Sequence, residues 1–108
     1  MIKLNEIRLK TPFSHSFTHI INNVRYKFVI QYNSVNDRYY LSLYEHRDDR
    51  YEEILCNVKL TVGIDLFSIV NSYKDIGGCW IIPLYDSYID KNPQIDNIQN
   101  FTMILRHM

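Results

Sequence analysis

The chain is 108 residues long and carries 12 Lys and Arg against 12 Asp and Glu, hence no net charge at neutral pH. At this length a fold buries about two-thirds of its extended-chain surface, which supports one modest core and one β domain over the whole chain. An apolar fraction of 46% with 22% charged residues excludes intrinsic disorder and low-complexity architecture. Zero net charge removes the broad attraction on which sequence-independent binding to nucleic acid or anionic membranes depends.

No apolar run approaches the ~18 to 20 residues of a membrane helix, and Met1 to Glu6 has neither the apolar stretch nor the cleavage site of a secretory signal. The chain is therefore expected in the cytoplasm of the cell that makes it. Cys56 and Cys79 belong to no paired-cysteine motif, so two buried thiols are expected rather than a disulfide or a zinc knuckle. Alanine, the best helix former, is absent, while fifteen isoleucines, six valines, nine tyrosines and five phenylalanines favour a pleated, half-buried surface. The fold class expected is mainly β: a small antiparallel sandwich or barrel-like meander with one short helix.

In chain order, Ile2 to Leu9 offers a first strand. Phe13, His15, Phe17, His19 and Ile21 then alternate with Ser14, Ser16 and Thr18, the period of two that a half-buried strand imposes. Asn22-Asn23 follows as a two-residue hairpin loop, because asparagine tolerates the positive φ such a loop needs. Val24, Tyr26, Phe28, Ile30 and Tyr32 form the apolar face of the next strand, which ends at Asn33-Ser34-Val35-Asn36-Asp37. Arg38 to Glu45 places Tyr39, Leu41 and Leu43 opposite Tyr40, Ser42 and Tyr44 and closes in the charged turn His46 to Arg50. Beyond it Ile54, Cys56, Val58, Leu60 and Val62 alternate with Glu53, Leu55, Asn57, Lys59 and Thr61, completing a four-strand meander.

Behind Asp65, a helix N-cap residue, Leu66, Phe67, Val70 and Tyr73 recur at helical spacing, and Gly77-Gly78 can end that helix. Cys79 to Leu84 is apolar on both faces, as in a central or doubly covered strand, with Pro83 confined to its end. Tyr85 to Asn97 is a long loop. Phe101, Met103 and Leu105 alternate in a last strand.

Chemistry-bearing motifs are scarce. His15 and His19 have the spacing that serves a metal on a helix, but on a strand the two rings emerge ~13 Å apart, too far to share one ion. Neither His46 nor His107 adjoins a nucleophile motif, so a metal-dependent enzyme using His15, His19 or His46 is the weakest reading. Three glycines compose no phosphate-binding loop. Asp48, Asp49, Glu52 and Glu53 are interleaved by Arg47 and Arg50 and read as an exposed turn. No catalytic residue, metal, cofactor or small-molecule substrate is expected. The positive signal is tyrosine, which is enriched at interfaces: Tyr40, Tyr44, Tyr85 and Tyr88 are the candidate subunit-contact residues. Stacking tyrosines on a small β-barrel would alternatively suit single-stranded nucleic acid or glycan, although the basic groove that accompanies nucleic-acid binding is missing.

The order of segments says more. Asn23-Val24-Arg25-Tyr26, the strand end Tyr32-Asn33, Arg38-Tyr39-Tyr40-Leu41-Ser42-Leu43-Tyr44 with its charged turn, and Leu60-Thr61-Val62-Gly63-Ile64-Asp65-Leu66-Phe67 succeed one another before the turn Ile76-Gly77-Gly78. That order resembles the baseplate plug proteins of contractile-tailed phages, typified by cyanophage members, over Phe13 to Arg106. The chain departs from the family before its last strand, where Pro93-Gln94-Ile95-Asp96-Asn97-Ile98-Gln99-Asn100 replaces an acidic, arginine-bearing stretch. The resemblance implies a structural, non-enzymatic part that closes or lines the central channel of the baseplate hub. Its partners would be hub, tube and spike proteins and further copies of itself, three or six around the tail axis. No membrane and no nucleic acid are expected. Its place would be the virion, or equally a phage-tail-like bacteriocin built from the same parts.

Overall fold

A computed structural model of the chain describes residues 3–9, 14–68 and 76–107. Among the described residues, seven strands form two antiparallel sheets: β1 (Lys3–Arg8), β2 (His15–Ile21), β3 (Val24–Asn33), β4 (Arg38–Arg47), β5 (Arg50–Lys59), β6 (Ile76–Pro83) and β7 (Phe101–His107). The order is β2-β3-β4-β5 in one sheet and β1-β7-β6 in the other. The mainly β class is borne out, as a two-sheet sandwich.

The first hairpin is the local consequence of its loop residues. Asn22 and Asn23 sit at φ 51° and 68°, the left-handed pair whose twist matches that of the flanking strands, and Ile21 pairs with Val24 directly across it. The same device closes β4 on β5, where Asp48 and Asp49 at φ 52° and 63° form the loop. The charged turn is thus tighter than the sequence suggests: His46 and Arg47 still pair, with Tyr51 and Arg50. Arg47 lies 2.6 Å from Glu45 and 3.5 Å from Glu52, so this carboxylate run is a solvated, ion-paired hairpin end.

Alternation places β3 and β4 as expected. Tyr26, Phe28 and Ile30 on β3, and Tyr39, Leu41 and Leu43 on β4, are buried and join Phe101, Met103, Leu105, Cys79 and Ile81 of the other sheet in one core. β5 departs from simple alternation. Its register against β4 slips twice, between Leu41 and Leu43 and again between Leu43 and Tyr44. Asn57, at φ 51°, gives its N–H to Ser42 Oγ at 3.0 Å instead of to the ladder, and each slip adds a residue to the β5 side. The consequence is that Leu55 is buried and Cys56 is exposed. Of the two thiols expected to be buried, only Cys79 is.

β6 begins at Ile76 rather than at Cys79 and is terminal in its sheet rather than central. Its free edge is covered by the segment before it: Val62 bridges to Ile81, and Leu66 N–H donates to the Cys79 carbonyl at 2.7 Å. Pro83 ends the strand, as its missing donor requires. Asp65 caps the following turn, its Oδ1 accepting from the N–H groups of Phe67 and Cys79, both at 2.9 Å. The helix expected beyond Asp65 falls largely on residues 69–75, outside the described residues. β1, expected at Ile2 to Leu9, pairs along its whole length with β7, from Lys3 opposite His107 to Arg8 opposite Thr102.

Candidate interaction surfaces

The tyrosines singled out by composition separate into two places. Tyr40 and Tyr44 lie on the outer face of β4, half-buried among their neighbours. Tyr40 stands between Gln31 and Lys59, accepts a hydrogen bond from Asn36 Nδ2 at 2.5 Å, and borders a shallow cleft of about 600 Å³ with Gln31, Asn33 and Asn57. Tyr44 stands between Lys27 and Glu53. Tyr51, which the composition argument passed over, completes that face: the Lys27 ammonium lies 5.5 Å from its ring centre and His46 meets it edge-on at 5.1 Å. The signal that could have found it is its position beside His46 across a two-residue loop.

Tyr85 and Tyr88 belong instead to a single turn after β6, in which Tyr88 N–H donates to the Tyr85 carbonyl at 3.0 Å. Tyr85 is exposed. Tyr88 packs edge-on against the buried Phe101 at 5.9 Å, with Lys91 above its ring, so part of its area serves the core. The loop that follows is pinned at three points. Asn92 Oδ1 accepts from Val62 N–H at 2.9 Å, Asn97 Oδ1 from Gln94 N–H at 2.6 Å, and Asp37 Oδ1 from Ile95 N–H at 3.0 Å. Asp37 also accepts the Tyr32 hydroxyl at 2.8 Å. The Ile95 N–H, then the Tyr32 hydroxyl, hold the Asp37 carboxyl below its usual range.

Two of the histidines, His19 and His107, meet in a structural cluster, their rings 6.5 Å apart. Asn5 Nδ2 donates to His107 Nε2 at 2.6 Å and lies 3.4 Å from His19 Nε2, which ties β1, β2 and β7 at one corner of the sandwich. His15 is stacked on Phe17 at 6.0 Å, and its Nδ1 is buried with no hydrogen-bond partner. Burial lowers the pKa of both His15 and His19, and for His19 the neighbouring His107 adds to the effect. Between the facing edges of β1 and β2 lies a cleft of about 480 Å³ floored by Ile7 and Phe17. Among the described residues, no three His, Cys, Asp or Glu side chains are grouped to hold a metal ion, and no helix is long and apolar enough to cross a membrane.

What the described residues present is therefore a small two-sheet sandwich with Tyr40, Tyr44 and Tyr51 on the outer face of one sheet and Tyr85 exposed in the turn after β6. No individually curated protein matches the chain. Residues 4–105 match the family described as cyanophage baseplate Pam3 plug gp18. That match spans both sheets, from β1 to β7, and the chain belongs to this family of phage baseplate plug proteins.

Proposed function

We propose that the chain acts as one domain that closes or lines the central channel of a contractile-tail baseplate hub, through contacts with hub, tube and spike proteins. Family membership over residues 4–105 carries this reading. In it the protein is made in the host cytoplasm, joins the particle in three or six copies around the tail axis, and makes and breaks no covalent bond. The tyrosine-bearing faces supply rigid contact area, with hydroxyls that find partners at the rim. Tyr40 and Tyr44 serve one neighbour and Tyr85 and Tyr88 another, because they stand on different elements.

Quantitative mass spectrometry of purified tail particles tests the reading. A few copies of this 13.0 kDa chain per tail, in a fixed ratio to the tube protein, support it; absence from intact, infectious particles refutes it. Tyr40→Ala and Tyr44→Ala are expected to leave the free chain folded and to lower its incorporation.

A further inference from the structure

His19 and His107 share one partner at the corner where the two sheets meet. The Asn5 side-chain amide lies 2.6 Å from His107 Nε2 and 3.4 Å from His19 Nε2. Whichever way that amide is turned it serves two neutral rings, because a neutral imidazole offers either a lone pair or an N–H at Nε2. It also serves one charged ring, through Oδ1. Two charged rings it serves poorly, since two positive charges on rings 6.5 Å apart would share one uncharged oxygen. The neighbouring charges offer His19 no relief. On β1, Lys3 stands opposite His107, and Glu6 is taken by Arg8 at 2.8 Å. In the row of His19, Tyr26 on β3 comes first and Glu45 on β4 second, and Glu45 is taken by Arg47 at 2.6 Å. On β7, Arg106 lies over the Trp80 ring and donates to the Gly77 carbonyl. Among the described residues, none of these elements sets a carboxylate against His19. His15, four residues along the same face of β2, adds a second obstacle to protonation. Its buried Nδ1 has no partner, which costs little as a lone pair but leaves an unsatisfied donor once the ring is charged.

We propose that this corner is an acid-opened joint, in which proton uptake by His19 and His15 detaches β1 from β2 and then from β7, starting at the Lys3 end. β1 is the element that yields. It has six residues and pairs with β7 alone, and Ile7 is only partly buried against the core. β2, by contrast, pairs with β3 along seven residues. Just beyond β1 the side chain of Leu9 is buried, which anchors that end and directs fraying to the other.

The cleft of about 480 Å³ already separates the facing edges of β1 and β2, so opening hydrates the rings while giving up few apolar contacts. Burial holds the pKa of both His15 and His19 below the ordinary value, and the His107 charge adds to this at His19. The closed form therefore binds fewer protons than the open one, and opening is favoured as pH falls below about 6.5.

Amide hydrogen exchange of the purified full chain at about pH 7.5 and about pH 5.5, corrected for the intrinsic change in exchange rate, tests it. Protection of β1 is expected to fall at least about tenfold on acidification, the change that one pKa unit produces, while β3 changes by less than about twofold. Asn5→Asp places at the corner a carboxylate that accepts from both charged rings, and its β1 is expected to be at least as protected at the lower pH as at the higher. His19→Gln keeps an amide there without the proton, and its β1 is expected to lose about threefold or less; this variant carries the test if Asn5→Asp does not fold. Equal β1 protection at the two pH values, or a loss shared equally by β3, overturns the proposal. So does an Asn5→Asp or His19→Gln chain whose β1 loses protection as the wild type does.

Discussion

Replacing Phe28 with alanine removes a ring wholly excluded from solvent, placed on β3 between Phe17 of β2 and Leu43 of β4. The Phe17 ring stacks on it with centroids 5.0 Å apart and planes 5° from parallel. Truncating a buried phenylalanine costs about 3 to 5 kcal/mol, because the site collapses only partly around the missing ring. Loss of the stacked pair adds about 1 kcal/mol, so a total of about 4 to 6 kcal/mol is expected. Small domains are stable by about 5 to 15 kcal/mol, so the variant lies near the edge of folding. Urea titration followed by Trp80 fluorescence measures the effect: with a slope of about 2 kcal/mol/M, the midpoint falls by about 2 to 3 M. Gln31→Ala, on the opposite face of the same strand, is expected to change stability by no more than about 0.5 kcal/mol. A Phe28→Ala loss below about 1 kcal/mol, or an equal loss at Gln31, would refute the inward orientation of the even residues of β3.

Asp65→Ala strips the acceptor from two backbone N–H groups and is expected to cost about 2 to 4 kcal/mol, with faster hydrogen exchange at the Cys79 amide; an unchanged melt and unchanged exchange would contradict the clamp. Because burial lowers the pKa of His15 and His19, the unfolded chain takes up their protons first as pH drops below about 6.5, and unfolding free energy should decline from there until the folded-state values are passed. His15→Phe should flatten that decline and, by removing the orphaned Nδ1, add about 1 kcal/mol of stability at neutral pH; thermal melts between pH 8 and pH 5 read both, and a flat wild-type profile would refute the assignment. A thiol reagent should modify Cys56 alone in the native protein, slowly because Glu53 raises its pKa, and reach Cys79 only on unfolding. Modification of both thiols at one rate would place Cys56 in the core.

Much of the four-stranded sheet was legible because its signals are local. Tyr26, Phe28 and Ile30 alternate with Arg25, Lys27 and Val29 within one strand, and Asn22-Asn23 carries its loop geometry in two adjacent residues. Both follow from a backbone period of two and from asparagine's tolerance of positive φ, with no reference to distant chain. The β5 bulge was not legible: alternation places Cys56 inward, whereas the register slips where the Ser42 hydroxyl takes the Asn57 N–H across the sheet, and Leu55 is buried instead. The candidate contact residues were legible as a residue type but not as a surface. Tyrosine content pointed to Tyr40, Tyr44, Tyr85 and Tyr88, whereas their division between the outer face of β4 and the turn after β6, and the addition of Tyr51, depend on which strands lie side by side.

Composition, alternation and turn residues sufficed for the β class and the hairpins, and the order of segments for the family. The tertiary structure alone decided how the strands divide between sheets, because β1 finds its partner at the far end of the chain, Lys3 opposite His107. It also decided that Asp65 reaches forward to the Cys79 amide. Propensity and alternation are properties of neighbouring residues, but pairing is a contest among all strands for one shared core. The outcome depends on packing that no local stretch of sequence contains.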